Sequence, residues 1–166
     1  MNFRTLKELT ALCAQRGAGI GEVMIEEQCA ESGKPREAVF GKMAEYWLVM
    51  KEAVRRGLTE DTTSRSGLTG GDAKRVKALT ESGGSALGGD AARALAYALA
   101  VSEVNASMGR IIATPTAGSC GVIPGVFVSA QEKYGWDDET MTRGLFAAGA
   151  IGYVIANNSF VSGAEG

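Results

Sequence analysis

Residues 94–106 read ALAYALAVSEVNA, and this stretch decides the fold class. Apolar side chains fall on nearly every side of a helix built from it, and such a helix is normally buried at the centre of a bundle. Asp90 stands just before the stretch, where a short acidic side chain can cap the first turn. We therefore predict a central helix from Ala91 to about Ser107, covered on its other faces by further helices.

The rest of the chain repeats the helical spacing of apolar residues and shows no strand alternation. Gly17 and Gly57 follow two of these patterns and are predicted to end the helices there. The fold class is therefore predicted to be all-α, a single helical domain over residues 1–166, with glycine-rich loops gathered at one end of the bundle. The further helices are predicted at residues 3–16, 20–31, 35–57, 72–80, 122–134 and 139–157.

Composition excludes several classes of function. The 166 residues contain no histidine, so this chain cannot build a Ser-His-Asp or Cys-His catalytic system or a histidine zinc site. The net charge of −2, without a basic block, argues against nucleic-acid binding. The longest apolar stretch, at residues 144–156, is shorter than the roughly 20 residues that cross a bilayer. Three widely spaced cysteines do not form a secreted disulfide framework, so we expect a soluble, cytoplasmic protein.

Loop 1, residues 64–71, reads SRSGLTGG and runs into a predicted helix. The backbone amides of such a loop, together with the positive end of a helix dipole, can bind a carboxylate or a phosphate. The alternative is a plain connection capped by Asp72, and the P-loop pattern is absent. Loop 2, residues 82–89, is predicted to be a plain connection. The candidate anion-binding residues of loop 1 are Ser64, Ser66, Thr69, Gly70 and Gly71.

Loop 3, residues 114–121, reads TPTAGSCG and places Cys120 among small residues just before a predicted helix. Small neighbours leave room for a bulky group, and a helix N-terminus lowers the pKa of a thiol. Cys120 is therefore a candidate metal or cluster ligand, a candidate nucleophile, or a small buried core residue. Cys13 and Cys29 lie on apolar helix faces and are predicted to be core residues.

Three segments resemble the alpha chain, or catalytic domain, of iron–sulfur-dependent L-serine dehydratases. They are NASMGRIIATPTAGSCGVIPG at residues 105–125, SGLTGGD at 66–72 and SGAEG at 162–166. The resemblance covers the whole chain in order and implies an all-helical domain. It also implies a [4Fe–4S] cluster that is held by three cysteines and leaves one iron open for substrate. Cys120 matches the first of these cysteines, and the other two are expected beyond Gly166. Residues 1–166 are therefore expected to be the N-terminal portion of the catalytic domain, truncated at its C-terminus.

The resemblance implies the deamination of L-serine to pyruvate and ammonia. The open iron would act as a Lewis acid on the β-hydroxyl while a base removes the α-proton, and the resulting aminoacrylate would tautomerise and hydrolyse. Lys74 and Glu165 are the candidate bases. The residues implied to bind the substrate carboxylate are Ser66, Thr69, Gly70 and Gly71, and those implied to line the cluster pocket are Thr114, Thr116, Gly118 and Ser119.

The resemblance further implies a heteromer, in which this alpha chain pairs with a beta chain. With one matching cysteine, the 166-residue chain is expected to hold no cluster, to be inactive by itself and to self-associate through apolar surface. Two other functions remain open: a related cluster-dependent lyase such as an L-cysteine desulfidase, and a non-catalytic binding subunit that keeps the anion-binding loop. A phosphate- or nucleotide-binding module would rest on glycine content alone.

Overall fold

The structure is a computed structural model that describes residues 1–159, and these form seven α-helices and no strand. The all-α prediction is confirmed. None of these helices is both long and apolar enough to span a bilayer. The helices are α1 (Leu6–Arg16), α2 (Ile20–Ser32), α3 (Arg36–Thr59), α4 (Asp72–Glu81), α5 (Gly89–Ala106), α6 (Val122–Tyr134) and α7 (Asp138–Asn158), with a 3₁₀ turn at Ala117–Ser119.

The chain divides into two compact units. Unit 1 comprises Met1–Trp47 and the segment from Asp137 onward, and unit 2 comprises Leu48–Trp136. The assignment of the whole chain to a single domain stays a prediction.

Unit 1 contains α1, α2, the first half of α3 and α7, and local signals fix its helix ends. Thr5 and Glu8 form a reciprocal capping box at the start of α1. Gly17 (φ 60°) and Gly33 (φ 66°) end α1 and α2 in the left-handed conformation, which glycine adopts without strain. The core of the unit consists of apolar side chains that are almost wholly buried, including Phe3, Leu9, Val23, Ile25 and Phe146.

A buried carboxylate ties the start of the chain to α1 and α2 in unit 1. Glu27 is 3% exposed and accepts hydrogen bonds from the Asn2 amide (2.6 Å) and from Arg16 Nη2 (2.7 Å). Burial alone would raise the pKa of Glu27, but these hydrogen bonds outweigh it and hold the pKa below its ordinary value of 4.5. The ionised form is therefore the one that stabilises the fold.

Replacing Glu27 with glutamine is expected to lower the free energy of unfolding by about 3 kcal/mol at neutral pH, because it removes one partner of a buried pair. Since the folded pKa is depressed, this contribution is complete above the ordinary value of 4.5 and is lost as the pH falls below it. Urea denaturation of both proteins from pH 7 to pH 3 tests this. A difference in the free energy of unfolding between the two proteins that stays constant from pH 7 to pH 3 would contradict the stabilising role of the ionised Glu27.

The matched control is Glu26→Gln. Glu26 also pairs with Arg16, at 2.9 Å, but its side chain is 45% exposed. Because solvent screens such a pair, this substitution is expected to cost less than about 1 kcal/mol.

Unit 2 is organised around α5, and the prediction of a buried central helix holds within this unit. Helices α4 and α6 both pack along α5, and Ala96, Ala100 and Val104 have no or almost no exposed surface. Small residues let the helices approach closely. A side chain at Gly57 of α3 would collide with the backbone of Ala100, so a larger residue there would push α3 away from α5.

Two helix ends in unit 2 correct the predictions. Helix α3 continues to Thr59 instead of ending at Gly57, because this glycine serves the close contact with Ala100 and not a C-cap. Helix α5 begins at Gly89 after an N-cap at Gly88, so Asp90 lies inside the first turn. The Asp90 carboxylate pairs with Lys133 of α6, and the tertiary contact thus takes the place of the predicted cap.

Candidate functional site

Loop 1 is closed on itself by hydrogen bonds. The Ser64 hydroxyl accepts from Thr69 N–H at 3.0 Å and lies 3.2 Å from the Ser66 hydroxyl. These two hydroxyls, predicted to bind an anion, therefore hold the loop in shape. Within residues 1–159, the Thr69 hydroxyl and the amides of Gly70 and Gly71 have no hydrogen-bond partner. They are among the donors that loop 1 leaves for a ligand.

The N-terminus of α4, predicted to bind an anion, already holds a carboxylate of this chain. Glu103 Oε1 of α5 accepts from Asp72 N–H (2.6 Å) and Ala73 N–H (3.2 Å). Gly71 (φ 80°) is the N-cap of α4, and Asp72 pairs with Arg75 at 2.6 Å instead of capping the helix. The amides of Asp72 and Ala73 are therefore not available to a substrate carboxylate.

Loop 3 contains the 3₁₀ turn and is held by its own hydroxyl groups. The Ser119 hydroxyl donates to the Thr114 carbonyl (2.9 Å) and lies 3.0 Å from the Thr116 hydroxyl. Gly118 is exposed, and an added Cβ there would lie 3.8 Å from the Thr116 hydroxyl, an ordinary van der Waals contact. The predicted pocket-lining residues thus form one compact turn directly before Cys120.

Cys120 is wholly buried, with 0% of its surface exposed. Burial raises the pKa of its thiol, which corrects the expectation that the following helix lowers it. Burial has a larger effect on this pKa than the helix N-terminus, because it removes the thiolate from water. A buried thiol of raised pKa is a poor nucleophile, whereas a bound metal deprotonates a coordinating thiol outright. The structure therefore favours a ligand or core role for Cys120 over a nucleophilic one.

The C-terminal turn of α5, residues 103–106, holds both loops. Arg65 N–H of loop 1 donates to the Ala106 carbonyl (3.2 Å), and Asn105 Nδ2 donates to the Ala117 carbonyl of loop 3 (3.1 Å). Loop 2 precedes the other end of this 18-residue helix, about 21–26 Å away along the helix axis. Loops 1 and 3 thus share one end of α5, and the expectation that the glycine-rich loops gather there is wrong for loop 2, which joins α4 to the start of α5.

Sequence reasoning missed Glu103 and Asn105, the two side chains of this turn that reach the loops. Both stand in a helix whose pattern predicts core packing. The one available signal is that a charged residue at position 103 interrupts an otherwise apolar run.

The comparisons with known proteins agree with the motifs. The sequence profile of the family described as "Serine dehydratase alpha chain" matches residues 15–166. The chain belongs to this serine dehydratase alpha chain family. It is 45% identical over 164 residues to the "Probable L-serine dehydratase, alpha chain" of Bacillus subtilis, covering 99% of this chain and 54% of that protein. It is 37% identical over 164 residues to the "L-serine dehydratase, alpha chain" of Peptoniphilus asaccharolyticus, covering 99% and 56%.

The resemblance inferred from the motifs is thus confirmed at the level of the family. A further relative, the "L-serine dehydratase" of Streptomyces coelicolor, is 34% identical over 168 residues, which are 98% of this chain and 36% of that protein. The chain spans about half the length of the first two relatives that it matches. No solved structure matches it.

Of the two candidate bases, the structure describes one. Lys74 Nζ donates to Asp61 Oδ1 at 2.7 Å, and the lysine holds the pKa of Asp61 below its usual range. An ammonium group has no lone pair with which to accept a proton. The geometry therefore assigns Lys74 to an ion pair with Asp61, which joins the segments before and after loop 1. Glu165 lies outside the described residues.

The described residues do not by themselves fit a [4Fe–4S] cluster. Residues 1–159 contain no group of three or more histidine, cysteine or acidic side chains that could hold a metal ion. Cys13 and Cys29 pack against the core of unit 1, as predicted from their helix faces. Cys120 is thus the one thiol at the candidate site in the described part of the chain.

The 166-residue chain alone is expected to bind no stoichiometric iron–sulfur cluster, because two of its three cysteines serve the core of unit 1. Anaerobic incubation with ferrous iron and sulfide, followed by desalting, should leave a colourless protein. A brown protein with four irons per chain would contradict this expectation.

Proposed function

We propose that this chain is the alpha chain of an L-serine dehydratase, which converts L-serine to pyruvate and ammonia in the cytoplasm. The observation that carries the proposal is that the C-terminal turn of α5 holds loops 1 and 3 together. Membership in a family whose relatives are named L-serine dehydratases supports the choice of substrate.

The substrate carboxylate would bind to the free donors of loop 1. The amides of Gly70 and Gly71 are adjacent, and both glycines have positive φ angles, 154° and 80°. Two adjacent free amides present a donor surface to a carboxylate, and the Thr69 hydroxyl adds a third donor. Ser64 and Ser66 support this surface by holding the shape of the loop.

The proposed cofactor is a [4Fe–4S] cluster to which Cys120 contributes one ligand in the complete protein. A cluster with one open iron supplies a Lewis acid for a hydroxyl leaving group. The tight turn of Thr114, Thr116 and Ser119 fixes the backbone before Cys120. The burial of Cys120 would keep water from the sulfur.

The overall reaction removes the α-proton and the β-hydroxyl of L-serine as water and leaves aminoacrylate. This tautomerises to the imine of pyruvate, and hydrolysis then releases ammonia. Glu165 remains the candidate base, since Lys74 is held by Asp61.

A beta chain is the proposed partner, because two of the relatives are named alpha chains. Large apolar side chains on unit 2, such as Leu68 (86% exposed) and Met108 (75% exposed), suit a chain that is covered in a larger assembly. Self-association of the 166-residue chain through such surface stays a prediction.

The test is anaerobic pyruvate formation from L-serine by the full-length protein with its co-expressed partner, after iron and sulfide have been added. Pyruvate with equimolar ammonia supports the proposal. Sulfide and pyruvate from L-cysteine, without turnover of L-serine, would indicate a cysteine desulfidase. Absence of turnover with every small amino acid would favour a binding subunit.

A further inference from the structure

Two buried glutamates in the described residues differ in how their charge is compensated. Glu27 pairs with Arg16 in unit 1. Glu103, 6% exposed, accepts two backbone amides on Oε1, while its Oε2 is buried and has no partner within residues 1–159. A buried carboxylate is unfavourable unless a positive charge lies near it. Glu103 thus has one buried carboxylate oxygen that can still accept a hydrogen bond, and no ion pair is shown for it in the described part of the chain.

Thr62 Oγ1 is the other buried side-chain polar atom without a partner in the described part of the chain. The Thr62 carbonyl lies directly against Gly70, and Glu103 binds the amide of Asp72, two residues further on. Both unpaired atoms therefore belong to residues that flank the same segment, 70–72. Since buried polar groups are almost always paired, each of these two atoms has the capacity for one further hydrogen bond.

We propose that Glu103 Oε2, together with Thr62 Oγ1, binds the α-ammonium group of the amino-acid substrate, which rests on the proposed function. An ammonium group brings one positive charge and three N–H donors, and so supplies what both atoms lack. The free amides of Gly70 and Gly71 lie on the same segment and take the carboxylate. The two charged ends of a zwitterion are thereby matched within one short stretch of loop 1 and the turn of α5 behind it.

Both acceptor atoms are buried in the present conformation, so the proposal requires a shift of loop 1 that exposes them. Residues 65–69 are exposed, and Gly67, Gly70 and Gly71 have positive φ angles that glycine tolerates best. Glu103 therefore has two tasks in this site. Oε1 fixes the start of α4, and Oε2 recognises the amino group.

The test compares L-serine with 3-hydroxypropionate, which lacks the amino group, by calorimetric titration of the full-length protein with its partner. Glu103→Gln keeps an oxygen for the two amides but removes the charge. Its affinity for L-serine is expected to fall at least about 10-fold, as for a charge-assisted hydrogen bond, and its affinity for 3-hydroxypropionate to change less than about 2-fold. Equal losses for both ligands, or no loss for L-serine, would overturn the proposal.

Glu27→Gln is the matched control, because it neutralises the other buried glutamate and is expected to leave both affinities unchanged while lowering stability. If Glu103→Gln does not fold, as judged by circular dichroism, Glu103→Asp is used in its place. The quantity compared with wild type is then the ratio of the affinities for L-serine and for 3-hydroxypropionate. The shorter aspartate keeps the charge and should weaken L-serine more than 3-hydroxypropionate, and an unchanged ratio would overturn the proposal.

The titrations use protein to which no iron or sulfide has been added, so that L-serine is bound without turnover, and the two proposals therefore fail separately. A wild-type protein that binds L-serine but forms no pyruvate overturns the proposed function, and the ratio of affinities still decides the role of Glu103. A wild-type protein that binds L-serine no better than 3-hydroxypropionate overturns the ammonium site, even if it forms pyruvate.

Discussion

Replacing Cys120 with alanine is expected to abolish pyruvate formation by the full-length protein, with a loss of more than about 100-fold. The thiol is wholly buried directly after the turn of loop 3, and the other two cysteines of the described residues, Cys13 and Cys29, belong to unit 1. Alanine fills most of the volume of cysteine, and the melting temperature should therefore change little. Activity, bound iron and circular dichroism are measured on the same reconstituted sample.

Cys29→Ala is the matched control. Cys29 is a half-buried thiol that packs against the core of unit 1, so its loss should leave iron content and activity unchanged. A Cys120→Ala protein that keeps its iron and its activity would make Cys120 a core residue and remove it from the site. Loss of iron in both variants would instead indicate a general defect of folding.

Replacing Gly125 with alanine is expected to lower the free energy of unfolding by about 3 kcal/mol. An added Cβ at Gly125 of α6 would lie 2.7 Å from the Ala94 carbonyl oxygen and from the Ala98 amide nitrogen, and 2.9 Å from Ala98 Cα. All three are backbone atoms of α5 and cannot rotate away. The two helices must therefore separate, and the small residues between them lose contact. Urea denaturation measures the change.

Gly149→Ala in α7 makes the same chemical change where there is room. An added Cβ at Gly149 meets nothing within 4 Å, and the position lies in a helix interior. Because alanine favours the helix over glycine, this variant should gain about 0.5–1 kcal/mol. Equal stability changes in Gly125→Ala and Gly149→Ala would contradict the close approach of α5 and α6.

The fold could be predicted from the sequence wherever a local signal suffices. The glycines at positions 17, 33 and 135 end their helices in the left-handed conformation, and Asp137 caps α7 through the Thr140 amide. The prediction that α3 ends at Gly57 was wrong, because glycine serves equally as a C-cap and as a site of close helix packing. The choice between the two depends on Ala100, 43 positions away, which no local pattern reveals.

The loops of the candidate site could be predicted from the sequence, but the side chains that hold these loops in place could not. Small and hydroxyl-bearing residues marked loops 1 and 3, but the sequence could not separate hydroxyls that bind a ligand from those that hold the loop, such as Ser64 and Ser119. Glu103 was missed because its partners are backbone amides about 30 residues earlier. The predicted direction of the Cys120 pKa shift was wrong, because the burial of the thiol depends on how all of unit 2 packs.

The C-terminal turn of α5 also makes the spacing of the two loops independent of the chain between them. Glu103, Asn105 and Ala106 are separated by at most three residues, a rise of about 4.5 Å along the helix, and they anchor both loops. Loop 2 lies at the far end of the same helix, about 21–26 Å from this turn. An inserted peptide, a fluorophore or a new pair of chain termini at loop 2 should therefore leave the loop 1–loop 3 geometry undisturbed. This makes loop 2 the natural point at which to label or re-engineer the chain.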